Sequence, residues 1–103
     1  MVTKKGDGPE VLQGDIVGVM YKGMLKNGKE FDASGNEPLN FQVGKSEVIK
    51  AWDQGLVGLK GGDKATITAP PEFAYGDQEI GGGLIPANST LVFEVEIVKI
   101  ARF

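Results

Sequence analysis

Apolar and polar residues alternate in three stretches of the chain, and each stretch predicts a β-strand buried on one face. The first stretch is residues 16–25 (IVGVMYKGML), and the second is residues 64–69 (KATITA). The alternation is clearest in residues 89–100 (STLVFEVEIVKI). The positions that the pattern turns toward the core are Val17, Val19, Tyr21, Ala65, Ile67, Leu91, Phe93, Val95 and Ile97.

One segment follows a helical period instead. Its apolar residues recur at helical spacing at Val48, Ile49, Trp52, Leu56 and Leu59. Ser46 is the predicted N-cap and Glu47 the first helical residue, because a hydroxyl caps free N–H groups and an acid suits the first turn. Gly55 and Gly58 lower the helix propensity, so the helix should be short and held by burial.

Turn signals connect these elements. Asn27-Gly28 predicts a tight turn after the first strand, and polar residues lead from there to a short strand at 41–43. Several strands, one short helix and no alternation of strands with helices predict the α+β class, with an antiparallel β-sheet wrapped around one short α-helix. A length of 103 residues fits a single domain, residues 1–103.

Histidine and cysteine are both absent from the sequence. The chain therefore lacks the usual proton carrier at neutral pH, the thiolate nucleophile and the favoured ligands of transition metals. We expect no metal site and no cofactor. If the protein is an enzyme, its chemistry should need no proton transfer.

Charge and hydropathy narrow the choice of partners and compartment. The net charge of −3 disfavours a nucleic-acid surface, and no apolar run is long enough to span a bilayer. The first residues, MVTKKGDGPE, contain no apolar core of a secretory signal. Together with the lack of cysteine, this predicts a cytoplasmic protein, or a nuclear one if the chain is cut from a longer protein. We expect a monomer without nucleic-acid or membrane partners.

Residues 71–90 (PEFAYGDQEIGGGLIPANST) place aromatic and aliphatic side chains around a glycine-rich loop. The glycines at 81–83 lack the Lys-Ser/Thr pair and the helix of a phosphate-binding loop. Asp77-Gln78-Glu79 lacks the spacing of a calcium loop. Taken singly, Trp52 is more often a core residue, and Phe31-Asp32 more often a turn.

Four motifs in this order carry a more specific signal: GMLKNGKEFDAS, VGKSEVIKAWDQGL, FAYG and IPANSTLVFEVE. The sequence closely resembles the FKBP family of prolyl isomerases, which bind macrolides such as tacrolimus and rapamycin, from about Gly6 to Ile100. The resemblance implies an antiparallel half-barrel curled around one helix, with an apolar pocket between helix and sheet. Proline-containing polypeptides would be its substrates.

The resemblance also implies which residues build the pocket. Its catalytic residues would be Asp32, Trp52, Tyr75 and Phe93, with Trp52 as the floor. Its ligand-binding residues would be Tyr21, Phe31, Leu39, Val48, Ile49 and Ile85. Two features depart from the family: Leu39 stands where a phenylalanine is usual, and only residues 1–5 precede Gly6 of the K-x-G-D-G-P stretch. We therefore expect a shortened edge strand, or a domain taken from a longer chain.

Such a pocket could catalyse prolyl isomerisation without an acid or a base. Rotation about an X–Pro bond breaks C–N resonance, at a barrier of roughly 18–20 kcal/mol. A dry aromatic pocket removes water from the amide oxygen and thereby favours the twisted state. Asp32, the one charged group expected there, should hydrogen-bond Tyr21 or Tyr75 and polarise the substrate carbonyl carbon.

A binding module is the alternative interpretation. The same pocket could capture proline-containing segments or macrolides with little turnover, and the fold alone does not separate these functions. The sequence favours an enzyme because a degenerate binder would be expected to have lost some of the pocket residues, which are Tyr21, Asp32, Trp52, Tyr75 and Phe93.

Overall fold

The computed structural model describes residues 2–101, and within that range the chain forms six strands and one α-helix. A short 3₁₀ helix covers Pro71–Phe73. The other elements, in chain order, are β1 (Val2–Lys4), β2 (Ile16–Leu25), β3 (Glu30–Ala33), β4 (Leu39–Gln42), α1 (Lys50–Gly55), β5 (Lys64–Ala69) and β6 (Leu91–Ala101).

The strands form one antiparallel sheet in the order β1-β5-β6-β2-β3. The two long alternating strands, β2 and β6, pair along their whole length at its centre. β4 pairs with the first half of β2, so that β3 and β4 share one edge of that strand. At the other edge lies β1, which has three residues and pairs with β5.

The core lies on the concave face of the sheet, where the predicted alternation is confirmed. Val17, Val19 and Ile97 are fully buried, whereas Glu94 on the opposite face is exposed. The predicted strand at 64–69 is also confirmed, although Ile67 is only half-buried. The strand predicted at 41–43 is β4, which begins two residues earlier, at Leu39. It starts there because Leu39 already pairs with Val19 of β2.

The predicted start of the helix is wrong. α1 begins at Lys50 rather than Glu47, and Ser46 has a left-handed φ of 57° and caps nothing. The reason is a pair of hydrogen bonds to Asp53, a residue of the helix itself. The carboxylate of Asp53 accepts hydrogen bonds from the N–H groups of Gly44 (3.0 Å) and Ser46 (2.9 Å), which holds the preceding residues as a loop.

The helix is short and held by burial, as predicted. Its inner face contributes Ala51 and Trp52 to the core, and Gly55 lies against the side chain of Ile67 on β5. The α+β class and the single short helix against a curved antiparallel sheet are therefore confirmed. No helix within residues 2–101 has the length and apolar character needed to cross a membrane.

Candidate functional site

A cavity of ≈ 220 Å³ lies between the start of α1 and the concave face of the sheet. It opens to solvent on one side, and its wall is largely aromatic and aliphatic. The residues that line it are Tyr21, Phe31, Asp32, Leu39, Glu47, Val48, Ile49, Trp52, Tyr75 and Phe93. Nine of these ten were predicted from the sequence; Glu47 was not.

Trp52 forms the floor of the cavity and is only 3% exposed. Its ring is surrounded by those of Tyr21, Phe93 and Phe41, at centroid distances of 5.0, 5.4 and 5.8 Å. Tyr21 and Phe93 meet it edge to face, a geometry in which the positive ring edge contacts the negative ring face. The buried indole N–H donates to no group within the described residues. The floor is thus fixed by aromatic packing rather than by hydrogen bonds.

Phe31 and Asp32 both face the cavity although they are consecutive residues of one strand. In a regular strand their side chains would point to opposite faces. The register shows why they do not: Gly23 pairs with Asp32 and Met24 pairs with Glu30, which leaves Phe31 as an extra, unpaired residue. This β-bulge turns the aromatic ring and the carboxylate to the same side.

The carboxylate of Asp32 is held by two donors. Tyr21 donates its hydroxyl to Asp32 Oδ2 at 2.8 Å, which confirms the hydrogen bond expected from the sequence, and the N–H of Ala33 donates to Oδ1 at 2.8 Å. Burial, followed by this hydrogen bond and the charge of Asp32, raises the pKa of Tyr21 to about 12. Tyr21 therefore stays protonated and keeps the exposed carboxylate oriented at neutral pH.

Tyr75 stands at the rim, on the turn that follows the 3₁₀ helix, and is 36% exposed. Burial of its ring, and secondly the negative charge of Asp32, raises the pKa of its hydroxyl above the ordinary value. The Tyr75 hydroxyl therefore stays protonated at neutral pH and can donate a hydrogen bond.

The loop before α1 supplies one wall. Glu47, Val48 and Ile49 are consecutive and all line the cavity, which the predicted helix would not have allowed. The side chain of Glu47 accepts a hydrogen bond of 3.2 Å from the N–H of Gln42. Two charged groups therefore line the cavity, Asp32 and Glu47, and not Asp32 alone. Glu47 was missed because the helical periodicity assigned it to the first turn of the helix.

The glycine-rich loop is closed at its base. Ile80 and Ile85 exchange two backbone hydrogen bonds of 3.0 Å, and the glycines between them turn the chain with φ values of 65°, 66° and 101°. Ile85 is only 3% exposed and belongs to the core, and it is not among the residues that line the cavity. In this structure Ile85 anchors the loop at its base, and its expected contact with a ligand stays a prediction.

The cavity is suited to an uncharged, partly apolar ligand. Within residues 2–101 there is no cluster of acidic side chains that could hold a metal ion. Two carboxylates and two tyrosine hydroxyls are the polar side chains that surround an otherwise apolar surface. Such a site can orient a carbonyl group and bury a ring next to it.

Comparison with known proteins identifies the family. The sequence profile described as FKBP-type peptidyl-prolyl cis-trans isomerase matches residues 8–98. The chain is 54% identical to FK506-binding protein 1A of Neurospora crassa, over 96% of the chain and 84% of that protein. It is 47% identical to the chloroplastic peptidyl-prolyl cis-trans isomerase FKBP13 of Arabidopsis thaliana, over 90% of the chain and 50% of that protein.

The structure agrees with the sequence comparison. It superposes on the crystal structure of AtFKBP13 with a TM-score of 0.90 and 42% identity, covering 98% of this chain and 90% of the other. The sequence and the fold that surround the aromatic cavity therefore match the same family. The chain belongs to the FKBP-type peptidyl-prolyl cis-trans isomerases.

Proposed function

We propose that this protein catalyses cis-trans isomerisation of X–Pro bonds in the cavity above Trp52. The observation that carries the proposal is the aromatic wall around one oriented carboxylate, in a chain without histidine or cysteine. That arrangement suits a reaction in which a bond rotates and no proton moves.

The proline ring would lie on Trp52, between the rings of Tyr21, Phe31 and Phe93. An apolar wall removes water from the amide oxygen, which carries more charge in the planar amide than in the twisted one. The planar ground state loses more solvation than the twisted transition state, so the cavity binds the latter more tightly. A millionfold acceleration requires about 8 kcal/mol of such differential binding.

Asp32 and Tyr75 would act on the carbonyl group that precedes proline. The Tyr21 hydroxyl fixes Asp32 at 2.8 Å, so the carboxylate can lie near the carbonyl carbon without reorganising. The protonated Tyr75 hydroxyl at the rim would donate to a backbone carbonyl of the substrate. Val48 and Ile49 would contact the residues that flank proline, and Leu39 would extend the wall for larger ligands.

We further propose that the same cavity binds macrolides such as FK506 (tacrolimus) and rapamycin. Relatives of this chain are named FK506-binding proteins, including one from Neurospora crassa and one from Mycosarcoma maydis. The cavity could receive the proline-like ring of such a ligand, while Leu39 and Tyr75 are exposed at its margin and available to the remainder of the macrocycle.

A protease-coupled assay with a proline peptide tests both proposals at once. We expect the protein to accelerate cleavage of the cis fraction, and rapamycin to abolish that acceleration at stoichiometric concentrations. Acceleration that rapamycin leaves unchanged would refute the shared site. Rapamycin binding without acceleration would favour the binding-module alternative over the enzyme.

The cytoplasmic location, the monomeric state and the absence of nucleic-acid or membrane partners remain predictions. One relative is named as a chloroplastic protein, so family membership does not fix the compartment. Sedimentation of the purified chain and microscopy of a tagged full-length protein would test these predictions.

A further inference from the structure

Gly23 is a buried glycine near the C-terminal end of β2, next to the cavity wall. It pairs with Phe93 on one side and with Asp32 on the other, so two pocket residues flank it in register. Its backbone does not adopt a positive φ, and an ordinary residue could take the same conformation. The requirement for glycine must therefore be spatial.

The space above Gly23 is filled by aromatic ring edges. A methyl group placed there would lie 2.8 Å from Phe31 Cζ, 3.0 Å from Phe31 Cε1 and 3.0 Å from Phe93 Cε1. Carbon atoms in contact prefer about 3.5–4.0 Å, so one ring would have to retreat by roughly 1 Å. Glycine in a strand commonly marks such a close approach.

Phe31 is the ring that would move. Phe93 is buried and packs edge to face against both Trp52 and Phe31, at 5.4 and 5.8 Å. Phe31 is half-buried, lies on an unpaired bulge residue, and meets Gly23 with the far end of its side chain. Because a side chain at Gly23 would point to the concave face, it would push the Phe31 ring into the cavity.

We propose that Gly23 is a positioning residue of the proline pocket, since its missing side chain lets the Phe31 ring lie against the strand backbone and so sets the width of the cavity. The inference deepens the proposed isomerase and macrolide-binding function and rests on it. Gly23 touches no substrate itself; it acts through the position of Phe31.

The test is a double-mutant cycle with Gly23→Ala, Phe31→Leu and the double variant. Leucine lacks both Phe31 atoms that the new methyl group would meet, so it removes the obstruction by that ring, whereas the approach to Phe93 Cε1 at 3.0 Å is the same in both backgrounds. Gly18→Ala is the matched control: it lies in the same strand, and its methyl would meet the side chains of Asn40, Lys99 and Pro38, which do not line the cavity. Rapamycin affinity by calorimetry, peptide kcat/KM and urea unfolding are measured for each.

Gly23→Ala should weaken rapamycin binding and lower kcat/KM by about tenfold, since a wall displaced by ~1 Å disturbs a fitted site strongly. In the Phe31→Leu background the same change should cost less than about twofold. Gly18→Ala should leave both quantities unchanged. Equal losses from Gly23→Ala in both backgrounds, or no loss in a folded Gly23→Ala variant, would overturn the proposal.

The double-mutant cycle still tests the proposal when Gly23→Ala alone does not fold. A double variant that folds and matches Phe31→Leu in affinity supports the proposal, whereas a double variant that also fails to fold refutes it, because the obstruction would then not be the Phe31 ring. If the unmodified protein neither isomerises peptides nor binds rapamycin, the proposed function fails. The unfolding free energies in urea would still show whether the substitutions at positions 23 and 31 are coupled, and so would test the contact with the Phe31 ring independently of the function.

Discussion

Replacing Leu39 by phenylalanine should tighten macrolide binding while leaving peptide turnover nearly unchanged. Leu39 lines the cavity from β4 and is 39% exposed. It has room for a larger side chain, because no closed core surrounds it and overpacking is therefore not expected. A strand position also suits an aromatic residue, so β4 should keep its pairing with Val19 of β2.

The size of the gain follows from what the ring adds. Phenylalanine would supply a flat apolar face and an edge-to-face partner for ligand or wall, worth about 0.5–1.5 kcal/mol. Since each 1.4 kcal/mol is about tenfold in affinity, rapamycin should bind roughly two- to tenfold more tightly. A short peptide reaches less of this wall than a macrocycle does, so kcat/KM should change by less than about twofold.

Isothermal calorimetry with rapamycin and the protease-coupled peptide assay measure the two quantities on the same preparation. Leu12→Phe is the matched control, because Leu12 is 47% exposed and does not line the cavity. Only the substitution at position 39 should change the affinity. An unchanged affinity for Leu39→Phe, or an equal gain for Leu12→Phe, would show that the side chain at position 39 does not contact the macrolide.

Four further predictions concern the floor, the substrate and pH. Trp52→Ala should lower the unfolding free energy in urea by about 3–5 kcal/mol. Trp52→Phe should cost less, because it keeps the aromatic contacts and removes an unpaired buried N–H; equal costs would contradict the packing described. Leu-Pro peptides should turn over faster than Glu-Pro peptides, because Asp32 and Glu47 line the cavity and none of the described lining residues is basic; equal rates would count against this. Activity should stay flat between about pH 6 and 8, and a bell-shaped profile there would implicate a shifted carboxylate. At alkaline pH the unfolding free energy should fall between 10.0 and about 12, because an unfolded tyrosine releases its proton first while folded Tyr21 retains it; Tyr21→Phe should reduce that fall, and an unchanged slope would contradict the assigned pKa.

The sequence was sufficient for the regular part of the fold. β2, β5 and β6 alternate because one face of each meets the core, and period-two patterning reports that burial directly. The family resemblance supplied nine of the residues that line the cavity, and the profile match and the relatives confirmed the family. Periodicity alone would have left Trp52 as an ordinary core residue.

The predicted start of the helix was wrong because of a contact that the local pattern does not contain. Asp53 reaches back to the N–H groups of Gly44 and Ser46 and prevents the helix from starting at Glu47. Ile85 turns into the core because its partner across the loop, Ile80, fixes its orientation through two backbone hydrogen bonds. The Asp53 contact leaves no signal in a window of a few residues, so propensity and spacing gave the wrong start for the helix.

These irregular segments are also where the cavity receives its most closely spaced side chains. A regular strand can present only every second residue to one face, and a regular helix only every third or fourth. The bulge in β3 instead delivers the neighbours Phe31 and Asp32, and the loop held by Asp53 delivers Glu47, Val48 and Ile49 in succession. A small sheet with one six-residue helix could not otherwise surround a proline ring with so many groups. The departures from local sequence rules are thus expected at the site itself, because regular backbone cannot supply the density of contacts that the reaction requires.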